Sequence, residues 1–337
     1  MMVANSRKKC PVTYSKVPLF FSLVDYRNNY FTSNDPNKII EFYNGFENRD
    51  QLIQWMRERP KGVANIHEVE GDKEIIVVIP TADFSGKYAR ECRDNIFKGL
   101  HIIFVESGEV PDPYFNYAHN VNVGIKKAME YNPKWVVFSN DDMYRVDDIN
   151  KLQSQLRRVP KDADVIYAVS PEHRFSMKCY LGNATIFYVF FNLFRTKFRS
   201  LSKIKKSILP KIEIVLEFYT GPGIVKKIVK LFLIRPIKNS QEFLHVGSFG
   251  IFSNEFILNM KNSLFDENYI NADEDTDLSY RISFREVKTY EIEYKIGDLV
   301  GRSMGLREDR FLCSQAGRVY FLAKFETIFN KQTILCE

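Results

Sequence analysis

The sequence predicts an α/β fold, a mostly parallel sheet with flanking helices, that carries a basic helical insertion. Three observations predict it. Four short β-branched runs, 74–79 (EIIVVI), 101–105 (HIIFV), 135–138 (WVVF) and 164–169 (DVIYAV), are bounded by polar residues, as strands covered on both faces are. Helix-compatible stretches at 87–97, 117–131 and 147–158 separate them, and strand–helix alternation over this length means stacked βαβ units. After Pro171 the rhythm stops, and 184–238 is basic and apolar where another βα unit would stand.

The remaining elements follow in order. Residues 1–72 are polar and aromatic, with a helix predicted near 49–59 that Pro60 would end. Gly221-Pro222-Gly223 breaks the basic stretch, so its helical reading is of two helices rather than one. Residues 243–252 read as strand and 254–261 as a short helix, and an acidic segment, 266–277, leads into a helix through Arg285.

Composition excludes several classes. The chain has 337 residues, 28 of them Phe and 18 Tyr, too aromatic for a disordered protein and long enough for a sizeable core. Its longest nearly apolar run, 184–194, falls short of the roughly 20 residues that span a bilayer. Cys10, Cys92, Cys179, Cys313 and Cys336 form no CxxC pair, which argues against a disulfide framework or zinc cluster and fits a reducing compartment. The apolar stretch 18–24 behind Arg7, Lys8 and Lys9 is too short and too late for a secretory signal, so a cytoplasmic location is expected.

Ligands of open α/β sheets bind outside the carboxyl ends of the strands, and three strand ends carry chemistry: Pro80-Thr81-Ala82-Asp83, Glu106-Ser107-Gly108 and Ser139-Asn140-Asp141-Asp142. Caps and turns would explain any one of these. Together they bring acidic groups to one edge, where they repel unless a cation or a donor-rich ligand sits among them. The Asn140-Asp141-Asp142 turn offers hard oxygen ligands suited to Mg²⁺ or Mn²⁺. A second acidic site, Asp273-Glu274-Asp275-Thr276-Asp277, reads either as a helix start that complements the dipole or as the seat of a general base.

The order PTAD, FVESG, NVGI (122–125), SNDDM, GSFGIF and FDENYINADEDTDLSYR resembles the family 2 glycosyltransferases of the GT-A fold, over 75–285 with an interruption from 176 to 241. The resemblance implies an inverting transferase that uses a nucleotide-diphosphate sugar. It implies that Pro80, Thr81, Asp83 and Glu106 line the nucleotide pocket. Asn122 would stand beside the nucleotide or ribose, and Gly124 would allow close packing there. Asp142 would ligate Mn²⁺ or Mg²⁺, with Asp141 near the ribose or the metal. Asp275 would be the general base, oriented by Glu274, with Arg281 pairing with the acidic cluster. The segments become an N-terminal extension (1–72), a nucleotide-sugar half (73–175), the basic insertion (176–241), an acceptor and catalytic half (242–300) and a C-terminal extension (301–337). In two places the chain departs from the family pattern. Asn140 stands where Asp is usual, and the expected His near 297–302 is absent, with Asp298 or Arg302 as its replacement.

From 195 to 238, twelve Lys and Arg face only Glu213 and Glu217, a net +10 against +6 for the whole chain. Residues 224–231 (IVKKIVKL) place apolar residues at helical spacing with lysines between them, which suits an anionic membrane surface and equally a helical subdomain with solvated lysines. On the first reading the protein is peripheral at the cytoplasmic membrane face, and its acceptor is a glycan or a lipid-linked group. The competing reading is a non-enzymatic membrane-surface or nucleic-acid-binding protein that uses this segment. Nucleic acid is not expected, because the cations interleave with aliphatic rather than aromatic residues and no recognised module is present.

Overall fold

The computed structural model describes residues 35–108, 114–168, 176–183, 203–208, 212–218, 235–236, 243–270, 272–299 and 312–326. A seven-stranded sheet forms its centre. In spatial order it comprises β1 (Asn65–Val69), β3 (Leu100–Glu106), β2 (Asp72–Thr81), β4 (Trp135–Ser139), β11 (Phe249–Ser253), β6 (Val165–Ala168) and β12 (Thr289–Ile292). β3, β2, β4, β6 and β12 run parallel, whereas β1 at one edge and β11 between β4 and β6 run against them. This is the mixed, mostly parallel α/β class that the strand–helix alternation predicts.

Apolar runs become inner strands because both faces of the sheet are covered. One face packs Ile75, Val77 and Ile79 of β2 with Phe104 of β3 and Val137 of β4 under α3 (Lys87–Glu91) and α5 (Ile149–Leu156). The other packs Ile76, Val78, Ile103 and Val136 under α4 (Tyr117–Met129), α6 (Asn254–Asn259) and α7 (Glu274–Ser283). The stretch predicted as helix over 87–97 is α3 followed by a π-turn, Cys92–Ile96. Predicted as one strand, 243–252 is split into β10 (Phe243–Leu244) and β11 by the turn at 245–248, where Gly247 takes φ 62, a left-handed conformation that favours glycine.

The N- and C-terminal extensions pack together. α1 (Pro36–Asn44), α2 (Arg49–Glu58) and α8 (Gln315–Lys324) share a third apolar cluster with Tyr269, Ile270 and Tyr280. The Tyr43 hydroxyl donates to the Leu312 carbonyl at 2.7 Å and accepts from the Ala316 N–H at 3.0 Å.

The expected helical character of 176–241 needs correction. Its described residues include β7 (Ser176–Asn183) and β8 (Ile212–Phe218), which pair antiparallel in register from Met177–Phe218 to Asn183–Ile212, and β9 (Arg235–Pro236), which joins the other side of β7. Residues 212–218 (IEIVLEF) are rich in β-branched residues, and their glutamates lie four apart, a spacing that suits one face of a strand as well as a helix. The amphipathic stretch 224–231 lies outside the described residues. A two-stranded ribbon, β5 (Met143–Arg145) with β13 (Ile296–Asp298), completes the architecture. Among the described residues no helix is long and apolar enough to cross a membrane.

Candidate functional site

Parallel pairing brings the strand ends to one edge. Thr81 and Glu106 are register partners at the ends of β2 and β3, and β4 lies on the other side of β2. Beyond Pro80 and Thr81 the chain turns, with the Asp83 carboxylate accepting from the Ser85 N–H at 2.9 Å. Glu106 reaches across this turn: Oε1 accepts from the Phe84 N–H at 2.8 Å, and Oε2 lies 2.8 Å from His67 Nε2. The Phe84 N–H, and after it His67, outweigh partial desolvation and hold the Glu106 carboxyl below the usual range. The His67 ring stacks on Phe84 with centroids 4.4 Å apart. Thr81, Asp83 and Glu106 therefore meet at one strand-end turn, to which β1 adds His67. Residues 65–69 do not read as strand in the sequence, because β1 is a half-exposed edge strand without a continuous apolar run.

The turn after β4 carries the next acids. The Thr81 hydroxyl donates to Asp141 Oδ2 at 2.7 Å, tying this turn to β2. Burial pushes the Asp141 carboxyl up from 3.8 to about 6; Thr81 opposes the rise and Asp142 adds to it. Asp142 is buried, and its carbonyl accepts from the Leu299 N–H at 3.0 Å. Asp298 is the register partner of Met143, next in chain to Asp142, so the structure brings Asp298 to this turn; Arg302 lies outside the described residues. Among the described residues no group of three or more His, Cys, Asp or Glu gathers as a metal cluster.

The second acidic site starts α7. Asp273 takes φ 66, a left-handed conformation that Asp tolerates better than most residues, and the helix begins at Glu274, which is buried. The Asp275 side chain keeps 36% exposure and lies 3.5 Å from His245 Nε2. Desolvation raises the Asp275 carboxyl, but His245 and the Thr276 N–H, which donates to Asp275 Oδ1 at 2.7 Å, outweigh it and leave it below the usual range. His245 and the Thr276 N–H thus decide the sign of the shift. Asp277 is fully buried and bound by Arg281 Nε at 2.6 Å, Lys324 Nζ at 2.7 Å and the Tyr269 hydroxyl at 3.2 Å. Arg281 thus makes the expected acidic pairing, and its partner is a buried acid.

Tyr117, at the start of α4, joins the two sites. Its hydroxyl donates to Asn140 Oδ1 at 2.7 Å. Burial raises its phenol well above the ordinary value, and the carboxylates of Glu274, Asp275, Asp141 and Asp142 act in the same direction. The acids of the β4 turn and of the α7 start thus all act on one phenol, which Asn140 ties to the carboxyl edge of the sheet.

The Asn122 side chain finds its partners within the chain. Its amide donates to the Phe265 carbonyl at 2.9 Å, Glu267 Oε1 at 3.0 Å and Ser263 Oγ at 3.2 Å, and its oxygen accepts from the Phe265 N–H at 3.1 Å. It is a strut between α4 and the 263–267 segment, because a buried amide satisfies itself within the chain where it can. Gly124 does serve close packing: a Cβ there would stand 2.4 Å from Val78 and 2.9 Å from Val105. Sequence reasoning missed the His245–Asp275 pair, whose only signal is a histidine at the head of a Gly-rich strand. It also missed Arg318, which lies 3.4 Å from Asp273. Compared with protein-family models and with curated proteins, the chain matches none.

Proposed function

We propose that the chain is a metal-dependent, inverting glycosyltransferase of the GT-A type that moves a sugar from a nucleotide-diphosphate sugar to a hydroxyl acceptor. One observation carries the reading: two acidic sites, one on a strand-end turn and one at a helix start, are tied to each other through the 245–248 turn and both act on the Tyr117 phenol, next to the strand ends that carry Thr81, Asp83 and Glu106. The mostly parallel central sheet with helices on both faces is compatible with the α/β class of that fold type.

In this reading Thr81, Asp83 and Glu106 hold the nucleoside, and Asp142 with Asp141 would hold Mn²⁺ or Mg²⁺. The donor set fits such an ion, since two adjacent carboxylates supply hard oxygens and burial makes the Asp141 charge costly without a cation. When bound, the ion offsets negative charge on the leaving diphosphate. Asp275 takes the proton of the acceptor hydroxyl as its oxygen bonds the anomeric carbon and the bond to the diphosphate breaks. An acceptor that is a glycan or lipid-linked, and peripheral attachment at the cytoplasmic membrane face, follow if the basic segment 195–238 docks on anionic lipid.

The test is a thermal-shift panel of UDP, GDP, dTDP and CMP with and without Mn²⁺ on wild type, Asp142→Ala and Asp275→Asn. A metal-dependent rise with one nucleotide is expected, lost in Asp142→Ala and kept in Asp275→Asn. With the matching sugar donor, Asp275→Asn should lower transfer by about 10²–10⁴-fold, the usual worth of a general base. Equal loss of donor affinity in Asp275→Asn would sink the base assignment. No shift with any nucleotide would sink the donor site.

A further inference from the structure

Among the histidines of the described residues, His245 is the one that the structure sets against the proposed base, on a segment tied to both acidic sites. Val246 N–H donates to Ser279 Oγ at 3.0 Å, and the same hydroxyl donates to the Asp275 carbonyl at 2.7 Å. Two residues on, the Ser248 carbonyl accepts from the Asn140 N–H at 2.9 Å. The turn 245–248 is thus a strap from the β4 turn to the first turn of α7, and Gly247 supplies the left-handed residue it needs. On this strap His245, with 9% side-chain exposure, lies 3.5 Å from both Asp275 Oδ2 and Thr276 Oγ1.

We propose that His245 is a positioning residue for Asp275, fixing the direction and the charge of the carboxylate that faces the acceptor. The proposal rests on the transferase reading above. A carboxylate that keeps a third of its surface and starts a helix has rotamers that point away from any acceptor, and an imidazole on a strapped turn selects among them. Among the described residues, the polar and charged groups around Asp275 are Glu274, Thr276 and Asp277 on α7 and Asp273 just before it, with Arg318 of α8 behind Asp273. Tyr117 faces it from α4 and His245 from the strap. Of these, His245 lies on the side of Asp275 Oδ2 and is the partner that opposes desolvation most strongly. In the reaction His245 gains and loses no bond; the proton passes from the acceptor to Asp275.

The experiment compares wild type with His245→Gln and His245→Ala by three readouts: nucleotide thermal shift, the pH dependence of kcat, and the titration of the Asp275 carboxyl by ¹³C-aspartate NMR, its signal assigned as the one lost in Asp275→Asn. Glutamine can place a neutral donor where the imidazole Nε2 stands. It should therefore keep more of kcat than alanine, for which a loss of roughly 10–100-fold is expected from misplacement of the base. In both variants the acidic limb of kcat and the Asp275 titration should move together to higher pH, with donor binding unchanged. Ser279→Ala, which loosens the strap but keeps the imidazole, should move both in the same direction by less, and it serves if the His245 variants fail to fold. An Asp275 titration that stays in place in every variant overturns the proposal and leaves the transferase reading standing. A titration that moves in a protein without transferase activity overturns that reading instead, and with it the catalytic use of the pair.

Discussion

The β4 turn and the start of α7 have similar acidic composition and different electrostatic partners. Asp141 sits among burial, a Thr81 hydroxyl and a second carboxylate, and its proton is held up to about 6. The acids of the α7 start are answered from within the chain: Asp273 by Arg318, Asp275 by His245, Asp277 by Arg281 and Lys324. The difference teaches that an acidic run in a sequence does not declare its role. Where cations are already built in, the acids are held by the chain itself. Where burial raises a carboxyl and the neighbouring charge has the same sign, ionisation is costly, which is the cost that the proposed cation would offset.

The comparison breaks most visibly at Asp277. Its carboxylate is fully buried, pairs with Arg281 one turn further along α7 and joins α7 to α8 through Lys324, which also lies 2.7 Å from Asp266. Removing one member of a buried ion cluster strands the others. Asp277→Ala should cost about 3 kcal/mol, the low end of the usual range because Arg281 and Lys324 keep some exposure. Denaturant unfolding at pH 7 checks this. A cost below about 0.5 kcal/mol, the scale of ordinary surface changes, would show that the acids of α7 are not structurally wired.

The β4 turn should answer with the opposite sign. A carboxyl whose folded value is raised contributes stability at low pH and loses it as pH rises through that value. For Asp141 the loss runs from about pH 4 to about pH 6, given the rise from 3.8 to about 6. Such a rise is worth about 3 kcal/mol, and about 2 kcal/mol once solvent screening at a partly exposed group is allowed for. In metal-free protein Asp141→Asn, which keeps an acceptor for the Thr81 hydroxyl, should therefore stabilise at pH 7 by about 2 kcal/mol and by nearly nothing at pH 4. Unfolding curves at the two pH values, in the presence of a chelator, measure the difference directly. A destabilised variant at pH 7 would mean that the turn is as well compensated as α7.

What the sequence made legible follows the same division between local and distant causes. β2, β3, β4 and β6 were readable because strands covered on both faces spell themselves out as apolar runs. β1 was not, since only one of its sides meets β3 and its residues are exposed or half-exposed. The 176–241 stretch misled because its apolar residues fit periods of 2 and 3.6 alike. The strand-end acids were legible from position alone. The pairing of Tyr43 with Leu312 and of His245 with Asp275 was not, for each joins segments that nothing local in the sequence marks as neighbours. The partners of Asn122 are hidden for a related reason: its motif fixes a helix position, while the 263–267 segment decides what its amide touches.

The smallest effect tests whether the two sites can be made alike. Arg318 comes from α8, and its guanidinium lies 3.4 Å from Asp273, with side-chain exposures of 21% and 11%. Burial raises the Asp273 carboxyl; Arg318 is the strongest influence against that rise, and the Asp275 carboxylate adds to it. Arg318→Gln removes the charge and keeps a hydrogen-bonding side chain, which leaves Asp273 placed as Asp141 is, buried beside a like charge. The pair is wide and partly solvated, so the cost at pH 7 should be about 1 kcal/mol, the upper end for such a contact. It should fade as pH falls, because the attraction exists only while Asp273 is ionised. Unfolding of the variant at pH 7 and pH 4 gives the sign. Because Asp273 holds the left-handed turn from which Glu274 and Asp275 start the helix, transfer should fall severalfold with no change in nucleotide binding. A variant with full activity and a pH-independent cost would show that α8 merely packs against the acidic segment; the expected pattern would mean that the C-terminal extension sets the charge on which the base depends.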